Sequence, residues 1–167
     1  MSVKKDNKVC LVTGARTGIG KSISELLAKN GYRVILSPKR LGDCRDSISE
    51  LTQKGFEVAE LALDLSKPKE LKKTLKEAVS IWGTIDILIN NGAVVDPISK
   101  LGNLPLKHLV NSNEINFVSP LMIINYCWDY LKKSEGRILN ILSGAAIHPV
   151  EGWTVYCTTK AALHMVN

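Results

Sequence analysis

The sequence predicts an α/β fold, a doubly wound parallel sheet with helices on both faces, in one domain spanning 1-167. Three observations lead there. Short apolar runs alternate with segments of helical period along the whole chain, a glycine-rich turn joins the first run to the first helix, and Thr13, Asp64, Asn90 and Ser143 fall at the ends of successive runs. Open α/β sheets of this kind place their sites beyond the carboxyl ends of the strands.

The first run, Val9-Cys10-Leu11-Val12, leads directly into Thr13-Gly14-Ala15-Arg16-Thr17-Gly18-Ile19-Gly20. Ile19, Ile23, Leu26 and Leu27 then recur at helical spacing, and Asn30-Gly31 supplies the stop. Strand, glycine turn and helix together form the context of a dinucleotide site, because glycines admit a pyrophosphate to the backbone and the helix start attracts its charge. Arg33 to Ser37 is a second strand, Cys44 to Lys54 a helix closed by Gly55, and Phe56 to Leu63 a third strand ending at Asp64. Ser66 is a candidate cap for a helix carrying Leu71, Leu75 and Val79. Ile85 to Ile89 reads as the fourth strand, delivering Asn90-Asn91-Gly92-Ala93. Helices near Leu106 to Asn113 and Phe117 to Lys133 follow, with Asn116 at their junction and Pro120 just after it, and Arg137 to Leu142 is the fifth strand.

Composition narrows the function classes. A chain of 167 residues, 45% hydrophobic and 23% charged, has the make-up of an ordinary globular domain. Its net charge of +6 comes from basic residues interleaved with acids, as between Lys67 and Glu77, which describes a solvated helix face and not a nucleic-acid groove. Cys10, Cys44, Cys127 and Cys157 are scattered, and His108, His148 and His164 show no ligand spacing, so neither zinc nor a disulfide framework is expected. Ser2 to Lys8 is polar, and the longest apolar stretch, near Phe117 to Trp128, is broken by Ser119, Pro120 and Asn125. Reduced thiols, no export signal and no membrane span give a cytoplasmic expectation.

Chemistry concentrates between Ser143 and Lys160. Tyr156 and Lys160 stand four residues apart at the head of a helix-compatible run, so both project from one face. A cation beside a phenol favours the charged phenolate, which suits that phenol to trade a proton as a general acid. A loop containing Pro149 and Gly152 returns the chain toward Ser143, bringing its hydroxyl to the phenol. After the second strand, NAD sites place an acid for the ribose 2′-hydroxyl, whereas a 2′-phosphate calls for basic groups. This chain has Ser37-Pro38-Lys39-Arg40, no acid before Asp43, and Arg16 in the glycine loop, so NADP(H) is expected over NAD(H).

These motifs, in this order, resemble the short-chain dehydrogenase/reductase family across nearly the whole chain. The turn Thr13-Gly14 to Gly18-Ile19-Gly20 is similar to the family's cofactor loop, Asp64 to its adenine-contacting aspartate, and Asn90-Asn91-Gly92 to its Asn-Asn-Ala-Gly element, with the Ala-Gly order reversed as Gly92-Ala93. Asn116, Ser143, Tyr156 and Lys160 match the catalytic tetrad. The resemblance implies a Rossmann-type sheet and an oxidoreductase that reduces a small-molecule ketone or other carbonyl, a 3-oxoacyl thioester being the competing substrate class. It also implies cofactor contacts at Thr13, Gly14, Arg16, Thr17, Gly18, Ile19, Gly20, Lys39, Arg40, Asp64, Leu65, Asn90, Asn91, Gly92, Tyr156 and Lys160. Ser143 would bond the carbonyl oxygen, Lys160 the nicotinamide ribose, and Asn116 a water feeding protons. Ser143-Gly144-Ala145-Ala146, Gly152-Trp153 and Asp96-Pro97 further resemble the sepiapterin and benzil reductase branch, with Trp153 either lining the substrate pocket or belonging to the core.

One departure stands out. The doubly wound fold has a sixth strand, and the sequence ends at Asn167, soon after Tyr156 opens its helix. The expectation is therefore a fold truncated after the fifth strand, with Ile138 to Leu142 a bare edge and turnover poor in these 167 residues alone. Two readings stand beside the reductase: an NADP-binding module without catalysis, and an interaction subunit burying its helices near Phe117 to Lys133 and Thr154 to Asn167, as the family's homo-oligomers do.

Overall fold

A computed structural model describes residues 7–166. It holds five strands, β1 (Val9–Thr13), β2 (Arg33–Ser37), β3 (Val58–Glu60), β4 (Ile87–Asn90) and β5 (Arg137–Asn140), all parallel, in the order β3-β2-β1-β4-β5. Six α-helices connect or follow them: α1 (Gly18–Lys29), α2 (Arg45–Gln53), α3 (Leu71–Trp82), α4 (Leu106–Asn113), α5 (Ser119–Lys133) and α6 (Thr154–His164). Most of the polar stretch from Ser2 to Lys8, and Asn167, lie outside the described residues.

The central strand explains the two layers. Every residue of β1 is buried, and alternate side chains point to opposite faces of a strand. Val9 and Leu11, with Ile35 and Leu88 in register beside Leu11, face a core completed by Leu71 and Leu75 of α3 and Ile123 and Cys127 of α5. Cys10 and Val12, with Val34 and Leu36, face the second core, which receives Ala28 of α1 and Leu51 of α2. Each fully buried leucine or isoleucine here is worth about 1.5–3 kcal/mol relative to exposure, so both layers are held by the β1 pattern.

Several expected details are displaced. On α1, Ile19 and Leu26 are 58% and 61% exposed, while Gly20, Ser24 and Ala28 face the sheet and Ile23 and Leu27 flank them. Gly20 abuts Asn91 and the Gly14 carbonyl, which leaves no room for a side chain there, and the Ser24 hydroxyl donates to the Gly20 carbonyl at 2.8 Å. Ser66 caps no helix: α3 starts at Leu71, and the Ser66 amide and hydroxyl both donate to Asp64 Oδ1, at 3.0 and 2.7 Å. Pro68 disfavours helical backbone at Lys67, which delays the start. The third strand is only Val58–Glu60, as an outer strand paired with β2 alone, and the fifth stops at Asn140. Ile138 and Leu139 on β5 are 37% and 48% exposed, so the apolar outer edge expected there is present.

Asp86, read as part of the fourth strand, does something else. Its carboxylate is 6% exposed and accepts from the Val9 amide at 2.8 Å and the Thr84 hydroxyl at 3.1 Å, pinning the start of β1 to the start of β4. Asp86→Ala orphans a buried amide, and urea unfolding should show a loss of about 2 kcal/mol, with Asp86→Asn losing less because an acceptor remains. Among the described residues no helix is long and apolar enough to cross a membrane. All four cysteines are free; burial, helped at Cys10 by Asp86, pushes the Cys10 and Cys127 thiols up to about 12.

Candidate active site

The glycine turn is built around contacts that exclude a side chain. Gly14 has φ +64°, and a Cβ on it would stand 2.7 Å from Gly92 Cα; a Cβ on Gly20 would collide with Asn91 Nδ2 and the Gly14 carbonyl. A Cβ on Gly92 would meet Leu65 Cδ1 at 2.6 Å. Asn91 ties the turn to β4, donating from Nδ2 to the Thr13 and Gly14 carbonyls at 3.0 and 3.1 Å. The Thr13 hydroxyl accepts from the amides of Asn91 and Gly92 at 3.0 and 3.1 Å. Gly18 differs: its φ is +56° and nothing lies within 4 Å of where a Cβ would be. Gly18 is thus a positive-φ glycine at the exposed start of α1, with Thr17 before it and no acid in the first turn, a helix start whose free amides suit a phosphate group. The reversed order Gly92-Ala93 therefore serves close packing. Gly20→Ala forces the turn apart, and calorimetric titration should find dinucleotide affinity reduced at least tenfold, that is by about 1.4 kcal/mol or more.

Two cavities open along the strand ends and share Gly14, Lys39, Gly92 and Ala93. The larger, about 600 Å³, is lined by Arg16, Thr17, Ile19, Lys39, Arg40, Asp43 and Asn91 among others. The smaller, about 170 Å³, takes in Asp64, Leu65, Val94 and Ile115. Burial pushes the Asp64 carboxyl up, but the Ser66 hydroxyl and amide and the neighbouring Lys39 and Lys67 ammoniums more than offset it, leaving Asp64 below the usual carboxylate range. Lys39 Nζ is 3.7 Å from Asp64 Oδ1, so one lysine serves both cavities. The Leu65 carbonyl is held from behind by the buried Ser119 hydroxyl, which donates to it at 2.6 Å.

Not every expected contact residue reaches these cavities: Thr13, Gly18, Gly20, Asn90, Tyr156 and Lys160 line neither. Thr13 and Asn90 are buried, 1% and 3% exposed, and organise the floor. Asn90 donates from Nδ2 to Asn140 Oδ1 at 2.9 Å, in register across β4 and β5, and its own Oδ1 is buried with no hydrogen-bond partner among the described residues.

The second cluster sits at the ends of β4 and β5. The helical stretches on either side of Asn116 prove continuous, α4 passing into α5 through a π turn, Glu114–Val118. Asn116, 1% exposed, accepts the Val94 amide at 2.9 Å, donates to the Val94 carbonyl at 2.7 Å and donates to Thr159 Oγ1 at 3.2 Å. Thr159 in turn donates to the Tyr156 carbonyl at 3.0 Å, which ties the π turn to α6. Lys160 is 3% exposed; its Nζ donates to the Ile141 carbonyl at 2.6 Å and lies 5.8 Å from the Tyr156 ring centroid. Burial holds the Lys160 ammonium below the ordinary lysine range. Trp153 packs edge-on against Tyr156, centroids 5.6 Å apart at 85°.

Ser143 is the exception. Its Oγ accepts the Ala145 amide at 3.2 Å, and among the described residues no hydrogen bond joins it to Tyr156. The Ser143 hydroxyl instead caps the short 3-10 segment Gly144–Ala146 that follows it. Val94, Thr159, Asn140 and Ser119 were not singled out from sequence. Of these only Thr159 carries a signal, a hydroxyl between Tyr156 and Lys160 on the same helix.

The sequence profile of the family described as short chain dehydrogenase matches residues 8–167. A diacetyl reductase, (S)-acetoin forming, from Staphylococcus epidermidis is 32% identical over 158 residues, covering 92% of this chain and 60% of that one. An alcohol dehydrogenase from the archaeon Thermococcus sibiricus, solved with 5-hydroxy-NADP, superposes with a TM-score of 0.90 at 26% identity, covering 95% of this chain and 68% of its own. A metagenomic short-chain oxidoreductase solved with NADP gives 0.91, also at 26% identity, over 96% and 73%. The chain spans between 51% and 62% of the length of the curated relatives it matches.

Proposed function

Because the chain belongs to the short-chain dehydrogenase family, we propose that it is an NADPH-dependent reductase of a small ketone or other carbonyl compound, with Tyr156 as general acid. The observation that carries this is a buried ammonium, Lys160, fixed by the Ile141 carbonyl and set against the Tyr156 ring. A positive charge in that place favours transfer of the phenol proton to a carbonyl oxygen gaining negative charge. The Ser143 oxygen accepts a bond from Ala145, which leaves its own hydrogen free to orient the substrate oxygen. Asn116 gives both amide hydrogens to the Val94 carbonyl and Thr159 and accepts the Val94 amide, so in this reading it holds the π turn against the segment after β4 and against α6.

A bound nicotinamide cofactor supplies the hydride. The residues present fit it: Gly14, Arg16 and Thr17 of the glycine turn line the larger cavity where the pyrophosphate would lie, Asp64 and Leu65 line the smaller one for the adenine end, and Arg16, Lys39 and Arg40 surround one cavity for a 2′-phosphate. That last grouping supports NADPH over NADH. The diacetyl reductase relative supports carbonyl reduction, and the sepiapterin and benzil reductase resemblance at Ser143 to Ala146 and Trp153 points to the same class. The test is loss of NADPH absorbance with a panel of diketones, aryl ketones and 3-oxoacyl thioesters, and NADH in parallel. Turnover confined to the thioesters, or faster with NADH, would replace this reading.

Leu106 and Val110 on α4 and Leu121 and Trp128 on α5 are exposed apolar residues, which supports assembly of the protein as a homo-oligomer through these helices. Light scattering would read it directly.

A further inference from the structure

The wall of the larger cavity that carries Lys39 and Arg40 belongs to the segment between β2 and α2. That segment is a set of turns, and its internal bonds are long: Asp43 N to Arg40 O at 3.3 Å and Arg45 N to Gly42 O at 3.2 Å. Its shortest tether between Gly42 and Cys44 comes from the sheet. Glu60, the last residue of β3, offers one carboxylate oxygen, Oε1, to two amides at once, Gly42 N at 3.0 Å and Cys44 N at 2.9 Å. Gly42 holds φ +91°, and Cys44 is the residue that caps α2, so the carboxylate also faces the positive end of that helix.

We propose that Glu60 is a positioning residue for cofactor selectivity, fixing the β2–α2 turn so that Lys39 and Arg40 stand ready for a 2′-phosphate. The assignment rests on the NADPH reading above. Glu60 does not line the cavity, so its charge is spent on the two amides and is not presented to the ligand as that of Asp43 is. Burial, then Glu60 and Asp43, push the Cys44 thiol up to about 11 against the opposing pull of Arg16 and Lys21. Selectivity for the extra phosphate therefore depends on a residue of a different strand that never touches it. A free turn would pay an ordering cost at each binding event, and only the ligand that needs the turn would register it.

The test is calorimetric titration of NADPH and NADH into the wild-type protein, Glu60→Ala, Glu60→Gln and Gly42→Ala, with thermal midpoints alongside. Glu60→Ala is expected to weaken NADPH about tenfold, the scale of a lost charge-assisted clamp, while NADH is essentially unchanged. Glu60→Gln, whose carbonyl oxygen still accepts, recovers most of the preference. Gly42→Ala strains the same turn with Glu60 intact and lowers the NADPH preference too, which carries the test if Glu60→Ala fails to fold. Equal weakening of both cofactors, or an unchanged NADPH to NADH ratio in the folded variants, overturns the assignment while wild-type NADPH selectivity stands. A wild-type protein that binds both cofactors equally overturns the NADPH reading and this assignment with it.

Discussion

Tyr156→Phe should bind NADPH as the wild type does and reduce its carbonyl substrate about a thousandfold more slowly, within the range that a positioned general acid contributes. The substitution removes one oxygen. The ring stays, and with it the edge-on packing of Trp153 at 5.6 Å and the contact with the Lys160 ammonium. Cofactor affinity by titration and turnover by absorbance separate the two roles. A variant retaining a tenth or more of wild-type kcat/KM would remove Tyr156 as the proton donor, whereas equal losses of affinity and turnover would assign it to binding.

Lys160→Met is the second large effect, and its two readouts move in opposite directions. Turnover should fall about as far as in Tyr156→Phe, because the charge beside the phenol is gone. The thermal midpoint should hold or rise, because an apolar chain replaces a desolvated ammonium. The sign with pH follows from burial holding the folded-state lysine below its ordinary range. Between the folded value and the ordinary value of 10.5 the unfolded chain carries the proton and the folded chain does not, so wild-type stability rises with pH across that window. Below the window both forms are charged and the full burial penalty persists. In Lys160→Met that rise disappears. A midpoint well below wild type at neutral pH would mean that the bond to the Ile141 carbonyl matters more than the penalty of burying the charge.

The layout was legible because local and long-range signals agreed. The β1 run, the glycine turn and the alternation that follows can each be written only one way in an open parallel sheet. The pairing of Tyr156 with Lys160 was legible for a similar reason, since they share a helix and helical spacing alone puts them on one face, whereas the choice of Asn116 rested on the family resemblance. What stayed hidden was whatever depends on residues distant in sequence. Asp86 looked like one polar letter in an apolar run, yet it reaches Val9, 77 residues away. Glu60 sat at the end of a short edge strand and clamps a turn 16 and 18 residues upstream. Ile19 and Leu26 misled because helical period measures hydrophobicity, while the α1 interface is decided by how little room is left beside Gly20. The bond from the Ala145 amide to the Ser143 hydroxyl is of the same kind, since neither composition nor spacing says which way a hydroxyl turns.

The π turn at Glu114–Val118 amounts to one extra residue in an otherwise unbroken helix. Each residue in an α-helix advances the side chains by about 100°. Deleting Phe117 or Val118 from that turn would restore the regular period, leave α5 packed on the sheet and swing α4, with Asn116, about its own axis by roughly that angle. Asn116 could then no longer meet both Val94 and Thr159, although every residue of the cluster would still be present in the chain. Single-residue deletion is thus a sharper probe of this segment than any substitution, because it changes the phase of the helix while leaving its chemistry intact.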